Sequence, residues 1–302
     1  MKKFFTVMIL LTTILLTGCG NSHCERSENF MGTIITLKAD GSDAQSAVDE
    51  GFRAIEALQK NIFADLQKIE DAAESGEFVE VSPDVYKILE IAQIFSELTD
   101  GAFDVTVGAA IELWGFDKKN FRVPTDDELA NVKNFVGYKH LHLRDGKVYL
   151  DKRGVKIKLG GVAKGYGVDL VREIFVAHGI NDGLIDFGTS TIFAVGKKKI
   201  GVKNPRVENE LSAVVELKNS ALSTSGDYEK FFVANGHHYG HIFDPKTCSP
   251  IEWKNFSVTV MVDGSVKNCG TVADILSTTA FVMGKERVEK ILSEQKIPAE
   301  IF

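Results

Sequence analysis

An aspartate and a threonine stand four residues apart in an apolar segment near the end of the chain. Residues 272–283 have helical composition, so Asp274 and Thr278 would lie about one turn apart on one face. A carboxylate and a hydroxyl in these positions could share a hard cation such as Mg²⁺, which binds few protein oxygens beside waters and phosphates. An aspartate near a helix start also serves as a cap, so the spacing leaves both alternatives open.

Two adjacent glycines form a second candidate feature. Gly160 and Gly161 stand between alternating apolar residues over 155–159, which predict a strand, and a predicted helix over 164–178. Glycines let a phosphate approach the backbone closely, and a helix N-terminus offers free N–H groups. A tight turn that simply requires glycine would give the same pattern.

The elements that must position these groups alternate from Phe30 onward without a proline-, glycine- or serine-rich linker. We therefore expect one α+β domain over residues 30–302. The turn-rich stretch 101–116 is typical of a segment that packs over a pocket. Strands are predicted at 33–37, 184–187, 192–195, 211–217 and 256–262, helices at 44–66, 82–98, 272–283 and 287–295, a short helix from 125, and hairpin turns at 145–146 and 235–236.

Composition and charge exclude several classes of protein. The 302 residues are 44% hydrophobic and 25% charged, with a mean hydropathy near zero, which is typical of globular domains and not of disordered or multi-span membrane proteins. The net charge of −7 and the absence of a basic stripe argue against nucleic acid as a partner.

The N-terminus is typical of a bacterial export signal. Two lysines precede an apolar stretch over 4–16, which is short for a membrane-spanning helix. It ends in Leu-Thr-Gly-Cys at 16–19, which resembles the lipobox of bacterial lipoproteins. We expect a signal peptide over 1–18, lipid on Cys19, a polar tether over 19–29, and anchoring to the extracytoplasmic face of a bacterial membrane. A plain secretory signal with an incidental cysteine is the alternative.

Three cysteines remain once Cys19 is set aside, and none has a metal-binding spacing. Cys24 is expected to be exposed in the tether. Cys248 and Cys269 would either form a disulfide in an oxidising compartment or stay as small loop and core residues.

Six separated segments resemble, in order, the FAD:protein FMN transferase family, the ApbE-type flavin transferases. Together they span nearly the whole chain after the signal. The segments are Met31-Gly32-Thr33, TDGAFDVTVGAAIELWGF at 99–116, LGGVAKGYGVD at 159–169, ALSTSGDYEKFF at 221–232, HIFDPKTCSP at 241–250, and residues 257–284, which end in ADILSTTAFVMG.

The resemblance implies a reaction and a fold. Family members transfer the FMN half of FAD onto a threonine hydroxyl of a target flavoprotein, with Mg²⁺ as cofactor and AMP as leaving group. The implied fold is a T-fold-related core of mixed or antiparallel sheet with flanking helices, and the flavin binds in a cleft between two lobes. The implied acceptor is a subunit of a membrane redox pump or another exported flavoprotein that carries a threonine-containing motif.

The resemblance also assigns residues. Gly161 would give a backbone carbonyl to Mg²⁺, and Asp274 and Thr278 would be its side-chain ligands. The matched FAD-contacting positions are Met31, Ala102, Phe103, Asp104 and Lys164.

His241 is our candidate for the base that takes the threonine proton, with Asp244 as its orienter or as a second carboxylate. The alternative is that His241 hydrogen-bonds a strand end while Asp244 caps its own turn. The hydroxyls of 223–225 would contact phosphate or hold the shape of a loop.

Four departures from the family pattern bear on FAD binding. Lys158 replaces an aspartate that contacts FAD in the family, Thr189 and Cys248 replace glycines, and a Ser-x-x-Ser-x-x-Asn pattern is missing between 63 and 77. Two alternatives to the transferase therefore stand: a Mg²⁺-dependent hydrolase that converts FAD to FMN and AMP, and a non-catalytic, membrane-tethered flavin-binding protein.

Overall fold

The main feature of the fold is an antiparallel sheet of seven strands. The computed structural model describes residues 22–188, 190–207, 209–252 and 257–302. In chain order the strands are β1 (His23–Phe30), β2 (Thr33–Asp40), β3 (Val79–Glu80), β4 (Leu141–Arg144), β5 (Lys147–Leu150), β6 (Asp182–Phe187), β7 (Thr191–Lys203), β8 (Leu211–Gly226), β9 (Phe231–Ala234), β10 (His237–Gly240), β11 (Phe243–Asp244), β12 (Ser249–Pro250), β13 (Ser257–Asp263) and β14 (Ala299–Ile301). Neighbours in the main sheet follow the order β1-β2-β6-β7-β8-β13-β14. Every pairing in this sheet is antiparallel, which confirms the α+β class.

The described ranges contain seven α-helices, in chain order α1 (Ala44–Asp71), α2 (Pro83–Leu98), α3 (Gly108–Leu113), α4 (Asp126–Val132), α5 (Ala163–Ala177), α6 (Cys269–Met283) and α7 (Lys285–Gln295). Three of them cover one face of the main sheet. Helix α1 packs against β1 and β2, α5 against β6 and β7, and α6 against β8 and β13, while α5 also contacts both other helices. Their inner faces and residues such as Ile35 and Leu37 of β2 share one apolar core.

The fold also contains three smaller sheets. Strands β3, β5 and β4 form a three-stranded sheet, and β9–β10 and β11–β12 are separate pairs. A second apolar cluster joins Trp114 to Phe243 and Cys248, with Phe232 and Tyr239 packed against it. This cluster fastens the β9–β12 region to the segment that holds α3.

Most predicted elements are confirmed, because their signals are local. Thr125 forms a capping box with Glu128 at the start of α4. Asp145 and Gly146 have φ of 50° and 76°, as the predicted hairpin turn requires. Helix α1 continues to Asp71, beyond its predicted end.

The strand predicted over 155–159 is wrong. Its alternating burial is present, with Val155 and Ile157 buried, but its only ladder contact is an isolated parallel bridge between Lys156 and Val107. The partner is an irregular segment, so no sheet forms there. Instead, Lys158 donates its N–H to the carbonyl of Val105 at 2.7 Å.

The tether predicted over 19–29 is wrong for the part that the structure describes. His23–Phe30 is the edge strand β1, paired with β2 from His23 opposite Asp40 to Phe30 opposite Thr33. Its residues alternate between exposed and half-buried, and Cys24 is half-buried against the core. The predicted signal peptide over 1–18 and Cys19 lie outside the described residues, as does Thr189.

The three described cysteines are free, so Cys248 and Cys269 do not form a disulfide. Cys269 belongs to the main core and Cys248 to the second cluster. Among the helices of the described ranges, none combines the length and hydropathy that crossing a bilayer requires.

Candidate active site

A cavity of about 310 Å³ lies where the end of β8 and the helices α5 and α6 meet the segments 102–117 and 229–245. Its volume is in the range of small-molecule sites. All the predicted catalytic, FAD-binding and metal-binding residues line it except Met31 and Asp244. The lining members of that set are Ala102, Phe103, Asp104, Gly161, Lys164, His241, Asp274 and Thr278. The fold thus brings together residues that are far apart in the sequence.

A close approach of α5 and α6 fixes Asp274. A Cβ atom on Gly165 would lie 2.3 Å from the carbonyl oxygen of Gly270, so a side chain at this crossing would push the helices apart. The approach lets Asp274 Oδ2 accept the Gly165 N–H at 3.0 Å, in the first turn of α5. The positive end of a helix favours a carboxylate there. Burial raises the pKa of Asp274, and the charge of Lys164 opposes that rise.

Hydroxyl groups continue the network from Asp274 into the cavity. Ser223 Oγ donates to Asp274 Oδ1 at 3.4 Å, and Ser223 lies 3.2 Å from the hydroxyl of Ser277. Ser225 Oγ in turn lies 2.9 Å from Ser277 Oγ and 3.3 Å from Thr278 Oγ1. Strand β8 and helix α6 are therefore joined by polar contacts at this point. The hydroxyls of Ser223 and Ser225 belong to this network, whereas that of Thr224 lies 2.9 Å from Thr259 Oγ1.

The donor set beside Asp274 fits a hard divalent cation. A Cβ on Gly161 would lie 2.9 Å from Thr278 Oγ1, so the Gly161 backbone lies directly against that hydroxyl. The Asp274 carboxylate has only neutral donors to offset its burial, namely one backbone N–H and the hydroxyls of Ser223 and Thr191, so a cation would compensate its charge. In the described ranges no three His, Cys, Asp or Glu side chains form a metal cluster. A cation here would therefore depend on hydroxyl, carbonyl and ligand oxygens.

Two lysines and a histidine supply the charge and the candidate base. Lys164 and Lys230 line the cavity, and neither has an ion pair among the residues that the structure describes. Burial first, and then the charges of Lys230 and Lys164, lower the pKa of His241 to about 4, against a backbone hydrogen bond with Lys230 that raises it. His241 is thus neutral at pH 7 and able to accept a proton. Its Nδ1 is buried without a hydrogen-bond partner in the described part of the chain.

The chain also resembles known proteins over most of its length. The model of the ApbE family matches residues 31–301, which is most of the chain. The chain belongs to the ApbE family. The expectation of an ApbE-type flavin transferase is thereby confirmed at the level of the family.

Curated ApbE relatives cover almost the full chain. The FAD:protein FMN transferase of Vibrio cholerae is 31% identical over 97% of this chain and 91% of its own length. That of Haemophilus influenzae is 30% identical over 98% and 92%, respectively.

Solved ApbE structures share the fold. The ApbE protein of Thermotoga maritima has a TM-score of 0.81 and 31% identity, over 93% of this chain and 94% of its own. The flavin transferase ApbE of Vibrio cholerae has a TM-score of 0.79 and 28% identity, over 93% of each chain.

Two of the predicted site residues do not line the cavity. Met31 lies at the β1–β2 turn with φ of 51°, and its N–H donates to Gln59 Oε1 at 2.5 Å. Asp244 Oδ1 accepts the N–H of Lys246 at 2.8 Å, so this carboxylate holds its own turn. Because Nδ1 of His241 has no partner in the described chain, Asp244 does not orient that nitrogen. The structure favours the capping alternative for Asp244.

Asp104 has a structural contact as well as a place in the cavity wall. Its Oδ1 accepts the N–H of Thr106 at 2.8 Å and the hydroxyl of Thr106 at 2.7 Å. Burial raises the pKa of Asp104, and these hydrogen bonds oppose the rise.

The structure adds residues that the sequence did not single out. Asp117 and Lys230 line the cavity, whereas Asp169 lies outside its lining and holds the N-terminus of α6. Lys230 stands inside a segment that carries the family resemblance, which is a signal that could have found it. Cys248 has φ of 59°, a conformation that favours glycine, so the family's glycine at this position has a backbone reason.

Proposed function

We propose that this chain transfers the FMN half of FAD to a threonine hydroxyl of an acceptor flavoprotein and releases AMP, with Mg²⁺ as cofactor. The proposal rests on one observation: a single cavity of this ApbE-family chain is lined by Asp274, Thr278, Lys164 and His241. Oxygen donors, unpaired cations and a neutral base are the groups that phosphoryl transfer to a hydroxyl needs.

The proposed bond changes are a single displacement at phosphorus. The threonine oxygen forms a bond to the FMN phosphorus, and the bond from that phosphorus to the oxygen bridging to AMP breaks. His241 takes the hydroxyl proton, because its neutral imidazole is free to accept one at pH 7. The products are the phosphoester on threonine and AMP, which keeps the bridging oxygen.

Charge on the pyrophosphate is the main electrostatic demand of this reaction. Lys164 stands in the first turn of α5, where backbone N–H groups also favour anions, and Lys230 adds a second cation. A Mg²⁺ ion held by Asp274, Thr278 and the Gly161 carbonyl would neutralise further phosphate charge. Phe103, Phe116 and Phe243 give the same cavity an apolar wall for planar rings.

We further propose that lipid on Cys19 anchors the domain at the extracytoplasmic face of a bacterial membrane. The support is the export signal and the cysteine that follows it. An acceptor at that face would be a subunit of a redox pump or another exported flavoprotein. Cys19→Ala should release the protein from membranes into the soluble fraction, which immunoblotting of the two fractions would measure.

The deciding experiment combines the full chain with FAD and Mg²⁺ or with EDTA. Each mixture contains an acceptor flavoprotein domain with its motif threonine, or the same domain with alanine there. We expect AMP and covalent flavin on the threonine acceptor alone, both lost in EDTA. AMP with free FMN in every acceptor mixture would show the hydrolase instead. Flavin binding without AMP would show a non-catalytic binder.

A further inference from the structure

Only a short connection separates Cys19 from the main sheet. Ser22 already belongs to the folded domain, because its carbonyl accepts the N–H of Gly41 at 3.0 Å, and β1 begins at the next residue. Three peptide units join Cys19 to Ser22, and at full extension they span about 11 Å. A lipid on Cys19 would therefore hold the start of β1 within about 11 Å of the bilayer surface.

Strand β1 runs from this end of the sheet to the opposite end. His23 lies opposite Asp40, and Asp40 lies opposite Asp182, so the start of β1 is level with the end of β2 and the start of β6. Phe30 lies opposite Thr33, at the end of the sheet where β2 begins. The eight residues of β1 span roughly 25 Å, at about 3.4 Å per residue.

The cavity lies at the end of the sheet where β1 finishes. Near the start of β2, Ile35 pairs with Phe187, and Phe187 pairs with Thr191 at the start of β7. Thr191 pairs with Ser223 of β8, whose hydroxyl donates to Asp274 in the cavity lining. The pairing thus connects the far end of β1 to the cavity, so the length of β1 separates the cavity from the end of the sheet nearest Cys19.

The end of the sheet nearest Cys19 carries charges of both signs. Lys197 and Lys198 follow the bulge of β7 at this end, and they form ion pairs with Glu216 and Asp182, respectively. Burying such charges in hydrocarbon is costly, whereas lysines interact favourably with headgroup phosphates. This end therefore suits the polar surface of a bilayer and does not insert into it.

We propose, on the basis of the proposed transfer reaction and lipid anchor, that β1 is a spacer that holds the cavity roughly 25–35 Å from the membrane. The acceptor threonines that the anchored chain modifies on the same membrane stand at that distance from the bilayer. An inverted domain would bring the cavity to the headgroups, but it would need a connection about as long as β1, and the connection to Cys19 reaches less than half of that. The fitting partner is a flavoprotein whose threonine is raised above the membrane.

The first test measures the orientation of the anchored chain and needs no turnover. The full lipidated chain in vesicles carries one fluorophore, at Lys246→Cys beside the cavity or at Lys197→Cys near Cys19, with Cys24→Ser in both. Lys246 follows Pro245 of the cavity lining, and the Lys246 and Lys197 side chains are 58% and 64% exposed. Energy transfer to a dye on the lipid headgroups should place the Lys246 label farther from the bilayer by roughly 20 Å. Equal distances would show a domain that lies flat and would overturn the proposal.

The second test varies the distance of the acceptor threonine from the same vesicles. One acceptor flavoprotein domain is anchored through helical spacers, at about 1.5 Å per residue, that place its threonine about 10, 30 or 60 Å from the bilayer. The anchored chain should modify the threonine at the middle distance at least about tenfold faster than the other two, because only that one reaches the cavity without detachment. The Cys19→Ala chain is the control, since without an anchor it should modify all three at similar rates.

A longer connection tests whether β1 sets this distance. About 30 glycine and serine residues inserted after Gly20 give the connection a root-mean-square length of about 30 Å, which lets the domain turn over. The preference for the middle distance should then disappear. A preference that survives the insertion, or equal rates at all three distances for the anchored wild-type chain, would overturn the proposal.

Failure of the proposed function gives a different result. A Cys19→Ala chain that transfers FMN to none of the three acceptors would refute the transfer reaction, while the distances of the two labels would still decide the orientation. A full chain that does not attach to vesicles would refute the lipid anchor and this inference with it.

Discussion

Asp169 and Asp274 are buried carboxylates on the two helices of one close pair, and each accepts hydrogen bonds from the N-terminus of the other helix. Asp274 of α6 accepts from Gly165 of α5, and Asp169 of α5 accepts from Gly270 and Thr271 of α6 at 2.9 and 2.7 Å. Asp274 is 2% exposed and Asp169 is 5% exposed. Burial raises the pKa of both. By exposure and helix contact alone the two are equivalent.

The difference lies in what each carboxylate has left to bind. Both oxygens of Asp169 accept backbone N–H groups, and the Thr271 hydroxyl adds a further bond at 2.6 Å. Asp274 accepts one backbone N–H and the hydroxyls of Ser223 and Thr191, and it faces the cavity with Lys164 as the nearby cation. A carboxylate whose two oxygens are both held by backbone N–H groups stabilises the helix pair, whereas one that faces the cavity is available for chemistry.

The strongest test of this contrast is Asp274→Asn. The asparagine oxygen can still accept the Gly165 N–H, so the free energy of unfolding should change by less than about 1 kcal/mol. The lost charge should lower AMP release roughly 100-fold or more, because the cation that would neutralise the pyrophosphate loses its anionic ligand. Steady-state AMP release and thermal unfolding would be measured together. Full activity in this variant would remove Asp274 from the site.

The same substitution at Asp169 should have the opposite effect. An asparagine NH₂ would face a backbone N–H of α6 whichever way it turned, so we expect a loss of about 3 kcal/mol in unfolding free energy. Turnover per folded molecule should stay near the wild-type value, as measured at a temperature where the variant is folded. A stable but inactive Asp169→Asn protein would contradict the division of roles.

A smaller effect, on the pH dependence of activity, should distinguish Lys164, which lies near Asp274, from Arg172, which lies near Asp169. Protonated His241 cannot act as the base, so activity falls as pH drops through its pKa, which is about 4. Lys164→Met removes a charge that lowers this pKa, so the acid limb of kcat/KM should move to higher pH. The measurement is the profile of kcat/KM from about pH 4 to pH 8.

Arg172→Met is the matched control on the same helix. Arg172 lies near Asp169, donates to the Gly264 carbonyl at 2.7 Å and stacks over Phe193. Its removal should lower stability by about 1 kcal/mol without moving the acid limb. If the acid limb of kcat/KM shifts equally in both variants, the shift comes from the change in net charge and not from the position of Lys164 in the cavity.

Sequence reasoning reached the parts of the molecule that depend on local pattern. The spacing of Asp274 and Thr278, together with the family resemblance, placed both in the cavity that the structure shows. Sequence reasoning missed β1, because the residues of this half-exposed edge strand contain no apolar run that would predict a strand. The stretch 155–159 alternates like a strand although its partner is an irregular segment.

The missed residues depend on contacts between distant segments. Asp117 enters the cavity because of a tight turn and an ion pair with Lys158, which lies far along the chain. Asp169 stands within a quoted family segment, yet its contacts with Gly270 and Thr271 exist only once α5 and α6 are docked. No pattern confined to one segment contains this information.

The crossed helix ends also couple catalysis to folding. Gly165 and Asp274 are separated by 109 residues, and Asp169 and Thr271 by 102, so each contact closes a long loop. Neither helix terminus keeps its partner if the other helix detaches, so the amides of Gly165, Gly270 and Thr271 should exchange with deuterium as one cooperative unit. A partly unfolded chain would therefore lose the cavity as a whole. It would neither bind FAD nor release AMP in an incomplete reaction.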